Sequence, residues 1–230
     1  MRRMRELIND VVSAYPTDEF FVELGLTLRQ SSQARALYRA YDRALSYLDR
    51  DSWQELRRKA LRHFQDHREG QLKQGFFNQL NDAFAYQFLV RSGCTNVSVL
   101  SEKKNTKMPD LQYFVGDVLH FCEVKTIGVS EQELARRTSE SFFDGSIYQE
   151  LSDTFFNKLE STLLHAQCQI SSQGGTGLVF MVVNFDDFTL CYLDKYREQI
   201  TAFLEQHEVQ DIYIKVGLVG GARVSKGRFA

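Results

Sequence analysis

Proline is nearly absent, with only Pro16 and Pro109 in 230 residues, and glycine is sparse before Gly93. With so few helix breakers, the first ninety or so residues read as almost wholly helical. No apolar run approaches the ~18 residues that a membrane helix requires. The opening Met1-Arg2-Arg3-Met4-Arg5-Glu6 is basic but leads into an amphipathic stretch, so no signal peptide is read and the cytosol is the expected compartment. No Cys-x-x-Cys pair occurs: Cys94, Cys122, Cys168 and Cys191 lie far apart among apolar residues, as buried thiols do in a reducing compartment. None of the five histidines falls at ligand spacing from a cysteine, which argues against zinc. An excess of positive charge is also missing. At a net charge of −2, any nucleic-acid partner must be met by a local positive surface.

What is present is ordinary globular material, 43% hydrophobic and 25% charged, enough for one large domain or a core with an appendage. A helix is expected from about Ser31 to Asp49, with Ala34, Leu37, Tyr38, Tyr41, Ala44, Leu45 and Leu48 on its apolar side and Arg35, Arg39 and Arg43 in a stripe on another. A second follows with Trp53, Leu56, Ala60, Leu61 and Phe64 inward. From Gln71 to Ser92 apolar residues cover most of the helix circumference, so this helix is packed on more than one side, and Gly93 ends it.

Short strands are expected at Asn96 to Leu100, Asp110 to Val115 and Val118 to Lys125. Ser130-Glu131-Gln132-Glu133 is a capping box opening a short helix through Arg137. A long helix from about Ile147 to Ile170 precedes a continuous apolar run, Leu178 to Asn184, that marks a central strand. A helix from Leu193 to Gln206, a strand from Ile212 to Val216 and a basic tail with Arg223, Lys226 and Arg228 complete the chain. The fold class is therefore α/β: a mixed β-sheet with an α-β-β-β-α-β core flanked by helices. Residues 71–230 form that domain, and 1–70 form a helical N-terminal region that contacts substrate or partner.

The informative segment lies around the second and third strands. Gly116-Asp117 reads as a two-residue hairpin loop, and the register it sets puts Asp110 opposite Glu123. Facing carboxylates, with Cβ atoms roughly 5 Å apart, destabilise a strand pair. A hard divalent cation would relieve them, since Mg²⁺ takes one or two carboxylates, a carbonyl oxygen and several waters. Lys125, two residues past Glu123, shares its face, where an ammonium can orient a water or neutralise a phosphate.

Pro109-Asp110 followed across a hairpin by Glu123-Val124-Lys125 resembles the signature of the PD-(D/E)XK nuclease superfamily, whose core is α-β-β-β-α-β. The resemblance covers about half of the chain. It implies a metal-dependent nuclease that hydrolyses phosphodiester bonds, of DNA before RNA. Asp110, Glu123 and the Val124 carbonyl would hold Mg²⁺, with Mn²⁺ as a substitute, and Lys125 would assist the attacking water. The superfamily often adds a helix glutamate. Asp82 is the carboxylate in that place, and an aspartate is a departure from the pattern. Gln149, Lys158 and Gln169 are candidates for a polar residue on the later helix. Lys103, Lys104 and Lys107, in the loop before Pro109, are the candidate phosphate contacts, with Arg136-Arg137 and the basic tail beside them. A homodimer is an open possibility. The rival reading is an inactive nucleic-acid-binding or assembly module on the same fold.

Overall fold

The computed structural model describes residues 1–67, 72–102, 108–130, 135–136, 139, 145–184, 192–207, 211–217 and 223–229. The helices are α1 (Arg3–Ala14), α2 (Leu24–Gln30), α3 (Ser32–Leu45), α4 (Arg50–Arg62), α5 (Gln74–Arg91), α6 (Asp153–Ser171) and α7 (Leu193–Gln206). The strands are β1 (Thr95–Val99), β2 (Leu111–Val115), β3 (Val118–Ile127), β4 (Gly177–Val183), β5 (Ile212–Val216) and β6 (Arg223–Lys226). They form one six-stranded sheet in the order β1-β2-β3-β4-β5-β6. The β1–β2 and β5–β6 pairs are antiparallel, while β3–β4 and β4–β5 are parallel. The α/β class and the mixed sheet preceded by helices are thus as the sequence pattern suggests. Packing divides the chain into two compact units, Met1–Thr106 with Asp110–Leu119, and Lys107–Pro109 with His120–Ala230.

In the first unit, a serine and an aspartate cap start α3 and α4. Ser31 accepts from the Ala34 amide and Asp49 from the Ser52 amide, satisfying donors that a helix N-terminus leaves open. Helix α5 is the centre of this unit and packs against α3, α4, β1 and β2. Its apolar residues surround it as expected, from Phe76 and Leu80 through Phe84 to Leu89, all buried. The rings of Phe21, Phe64, Phe76 and Phe77 pack on one another, Phe64 edge-on to Phe76 at 5.5 Å. Gly93, at φ +83°, closes α5 in the left-handed conformation that glycine adopts without strain.

In the second unit β4 is buried at every position, as a strand covered on both faces must be. Its Val179, Met181 and Val183 meet Leu159, Leu163 and Ala166 of α6 and Ile200 and Leu204 of α7. Helix α6 starts later than the periodicity suggests. Ser152 accepts from the Phe155 amide and sets the boundary, leaving Gly145–Tyr148 as a 3₁₀ turn. Strand β6 falls in what reads as a tail, because four residues with one apolar member carry no pattern. The capping-box segment 131–134 lies outside the described residues.

Candidate active site

Helix α4 turns Ser52, Leu56, Lys59 and Ala60 inward. Leu56 and Ala60 are expected on such a face, and Ser52 and Lys59 are not. Its ammonium stands 3.6 Å from Asp82 Oδ2 and 3.9 Å from Asp110 Oδ1. Asp82 projects from the middle of α5. Asp110 lies immediately before β2, where its carbonyl accepts from the Leu100 amide at 2.8 Å, in line with the β1–β2 ladder. The cluster therefore draws on α4, α5 and the lead into β2. At 3.6 Å the Lys59–Asp82 contact is coulombic more than a hydrogen bond, and among the described residues no closer donor reaches Asp82 Oδ2.

Burial works against the charge of Lys59, but the carboxylates of Asp82 and Asp110 outweigh it and hold the ammonium above its ordinary range. Asp82 is pushed well above the usual carboxylate range, first by burial and then by the charge of Asp110, against the pull of Lys59. Two ends of α4 fix the lysine in place. The Ser52 hydroxyl accepts from the Val99 amide, while Arg62 and His63 both hold Glu102.

In the second unit Glu123 and Lys125 occupy β3 opposite Val179 and Met181 of β4, so both project from the face that carries the α6 and α7 core. Glu123 is 2% exposed and accepts a hydrogen bond from Lys125, whose side chain is 28% exposed. A buried carboxylate with a lysine reaching toward solvent is the arrangement expected of the Glu-x-Lys segment. Phe121, on the same face, packs against the core, whereas Leu119 at the start of the strand is exposed. On α6, Gln169 Nε2 donates to the Met108 carbonyl at 2.7 Å and so anchors the chain just before Pro109-Asp110. Lys158 is exposed on the same helix, and the Gln149 carbonyl accepts from Gln199.

Of the residues singled out from sequence, Asp82 and Asp110 are brought to one ammonium, and Glu123 and Lys125 form a pair on β3. Lys103, Lys104 and Lys107 lie outside the described residues. Of the basic tail, Arg223 is exposed, while Lys226 and Arg228 are engaged internally. Lys226 donates to the Leu204 and His207 carbonyls, and Arg228 to His120 Nε2. Arg35 is likewise spent on the Leu28 and Arg29 carbonyls at the end of α2, which interrupts the α3 arginine stripe. Lys59 was the residue to miss. Its signal is its place three residues after Leu56 and one before Ala60, on the inward side of an arginine-rich helix.

Among the described residues, no group of three or more His, Cys, Asp and Glu side chains gathers as a metal-binding cluster. Mg²⁺ does not need one, because it binds through one or two carboxylates and keeps several waters. Asp110, one quarter exposed, and Glu123 offer hard carboxylate oxygens. The donor chemistry fits a hard divalent cation. Comparison with family models, curated proteins and solved structures returns no match for this chain.

Proposed function

We propose that this chain is a metal-dependent nuclease that hydrolyses phosphodiester bonds of DNA, acting in the cytosol. The observation that carries the reading is Glu123, a carboxylate buried on a core strand and paired with Lys125, which follows Pro109-Asp110 by one short hairpin turn. Burying an acid is unfavourable without compensation, and a lysine that reaches toward solvent is a poor structural choice for that role. In a phosphodiesterase the same pair has a use.

On this reading Asp110, Glu123 and the Val124 carbonyl hold Mg²⁺ or Mn²⁺, which when bound supplies a more acidic water and charge neutralisation at the phosphate. Lys125 then turns from Glu123 toward the incoming anion, where its ammonium orients the attacking water or stabilises the developing negative charge. Gln169 holds the Met108 carbonyl within the second unit. The described helices include none long and apolar enough to cross a membrane.

A cleavage panel of single-stranded, duplex and branched DNA and RNA, with Mg²⁺ or Mn²⁺, tests the proposal. Asp110→Ala, Glu123→Ala and Lys125→Ala are each expected to abolish cleavage with the fold retained by circular dichroism. Wild-type single-turnover cleavage by Lys125→Ala would sink the site assignment. Binding of DNA without cleavage of any substrate would favour an inactive module on the same fold.

A further inference from the structure

We propose that Lys59 is a positioning residue of this site, and that Asp82 acts through Lys59 instead of holding metal itself. The inference rests on the nuclease reading for the role of Asp110.

The ammonium of Lys59 stands between two carboxylates at 3.6 and 3.9 Å, in the place a bridging cation would take. The Lys59 and Asp82 side chains are 2% and 4% exposed, so neither charge is sustained by water. Asp110, at 25%, is the member of the cluster that reaches solvent and hydrated ligands. A buried ion pair of this kind is seldom a source of stability, because desolvation offsets the attraction. Well-packed apolar residues would serve the α4–α5 contact as well. What they would not do is hold one side of a partly exposed carboxylate.

Lys59 is suited to that task because its carrier cannot drift. Helix α4 is capped by Asp49, tied to β1 through Ser52 and Val99, and held near its last turn by the Glu102 contacts of Arg62 and His63. Asp82 completes the arrangement. In its ionised form, paired at 3.6 Å, it cancels the charge of Lys59 locally, so that the ammonium steadies Asp110 without placing an uncompensated positive charge beside the metal position. The helical region before the sheet thereby contributes a residue to the chemistry.

The two roles open to Asp82, ligand or counter-ion of Lys59, separate when the Asp82 variant is compared with a double variant that also lacks the Lys59 charge. Mn²⁺ binding to the full-length protein, read by electron paramagnetic resonance of the free ion, is compared for wild type, Asp82→Asn, Lys59→Met with Asp82→Asn, and Asp110→Asn. Asp82→Asn leaves an uncancelled ammonium near Asp110 and is expected to weaken Mn²⁺ binding about tenfold through charge repulsion. Removing both charges is expected to bring the affinity back to within about threefold of wild type, with single-turnover kcat still reduced and KM unchanged, because the carboxylate is no longer held. Equal loss of Mn²⁺ in the Asp82→Asn protein and the double variant would make Asp82 a ligand and overturn the proposal. Wild-type Mn²⁺ affinity in Asp110→Asn would overturn the nuclease reading itself, whatever Lys59 and Asp82 do.

Discussion

At the scale of single residues, lysines stand beside the acids of the candidate site, Lys59 by Asp82 and Asp110 and Lys125 by Glu123. The expectation that Asp110 and Glu123 repel one another included Lys125 and omitted Lys59. Lys59 stands by Asp110 and Lys125 bonds Glu123, each within its own unit. His120 offers a sharper test of residue-level electrostatics. It is buried, with Nδ1 at 3.1 Å from Thr176 Oγ1 and Nε2 at 3.1 Å from the Arg228 guanidinium. An arginine can only donate, so Nε2 accepts and the ring is neutral, with its proton on Nδ1. Burial, and then Arg228, lower the His120 pKa, with Thr176 and Asp211 opposing in part. The folded value therefore lies below the unfolded value of about 6.5. The contribution is fully present above that pH and is lost as pH falls through the folded value. Melting temperatures of wild type and His120→Gln, measured from pH 7 to pH 5, should show the wild type falling more steeply. Parallel curves would mean that His120 does not titrate against Arg228.

At the scale of elements, the parallel pairing of β3 and β4 depends on a close approach at Gly177. Phe121 pairs with Gly177, and a Cβ there would lie 1.8 Å from the Phe121 carbonyl oxygen. Two residues earlier, a Cβ on Gly175 would come within 2.9 Å of the Phe121 ring. The contact at Gly177 is with backbone, so no rotamer change relieves it. Gly177→Ala must move one strand against the other, and the same strand carries Glu123 and Lys125 two and four residues further on. The expected loss is about 3 kcal/mol, toward the upper end for overpacking. For a chain of this length that lowers the melting temperature by roughly 6–12 °C, readable by calorimetry. A change below about 1 °C would mean that the strands do not meet at this register.

At the scale of the whole molecule, the charge balance decides how a polyanion can be bound. With a net charge of −2, and with Lys226, Arg228 and Arg35 engaged in internal hydrogen bonds, the lysines of the segment before Pro109 are among the cations left from the sequence reading. Changing Lys103, Lys104 and Lys107 together to Gln is expected to weaken DNA binding and flatten its salt dependence. If all three meet phosphates, the slope of log K against log salt should fall in magnitude by up to about 2.7, near 0.9 for each counterion retained. Fluorescence anisotropy with a duplex oligonucleotide across a salt series measures it. An unchanged slope would move the phosphate track elsewhere, with the exposed Arg39 and Arg43 on α3 next to examine.

Local pattern was enough for much of this protein. The circumferential burial of α5, the glycine that ends it, the continuous apolar run of β4 and the exact limits of α7 and β5 all follow from side-chain period and backbone preference, which act over a few residues. The pairing of Glu123 with Lys125 on one strand face follows from the same two-residue period. Tertiary structure alone decided which charged groups meet. Lys59 and Asp110 are about fifty residues apart in sequence, and an inward lysine on an arginine-rich helix has the look of the edge of a solvated face until α5 and β2 close over it. Strand β6 exists because β5 supplies hydrogen-bond partners, not because Arg223–Lys226 has a strand pattern. The long-range approach of charges is set by packing between elements, and no period in the chain records it.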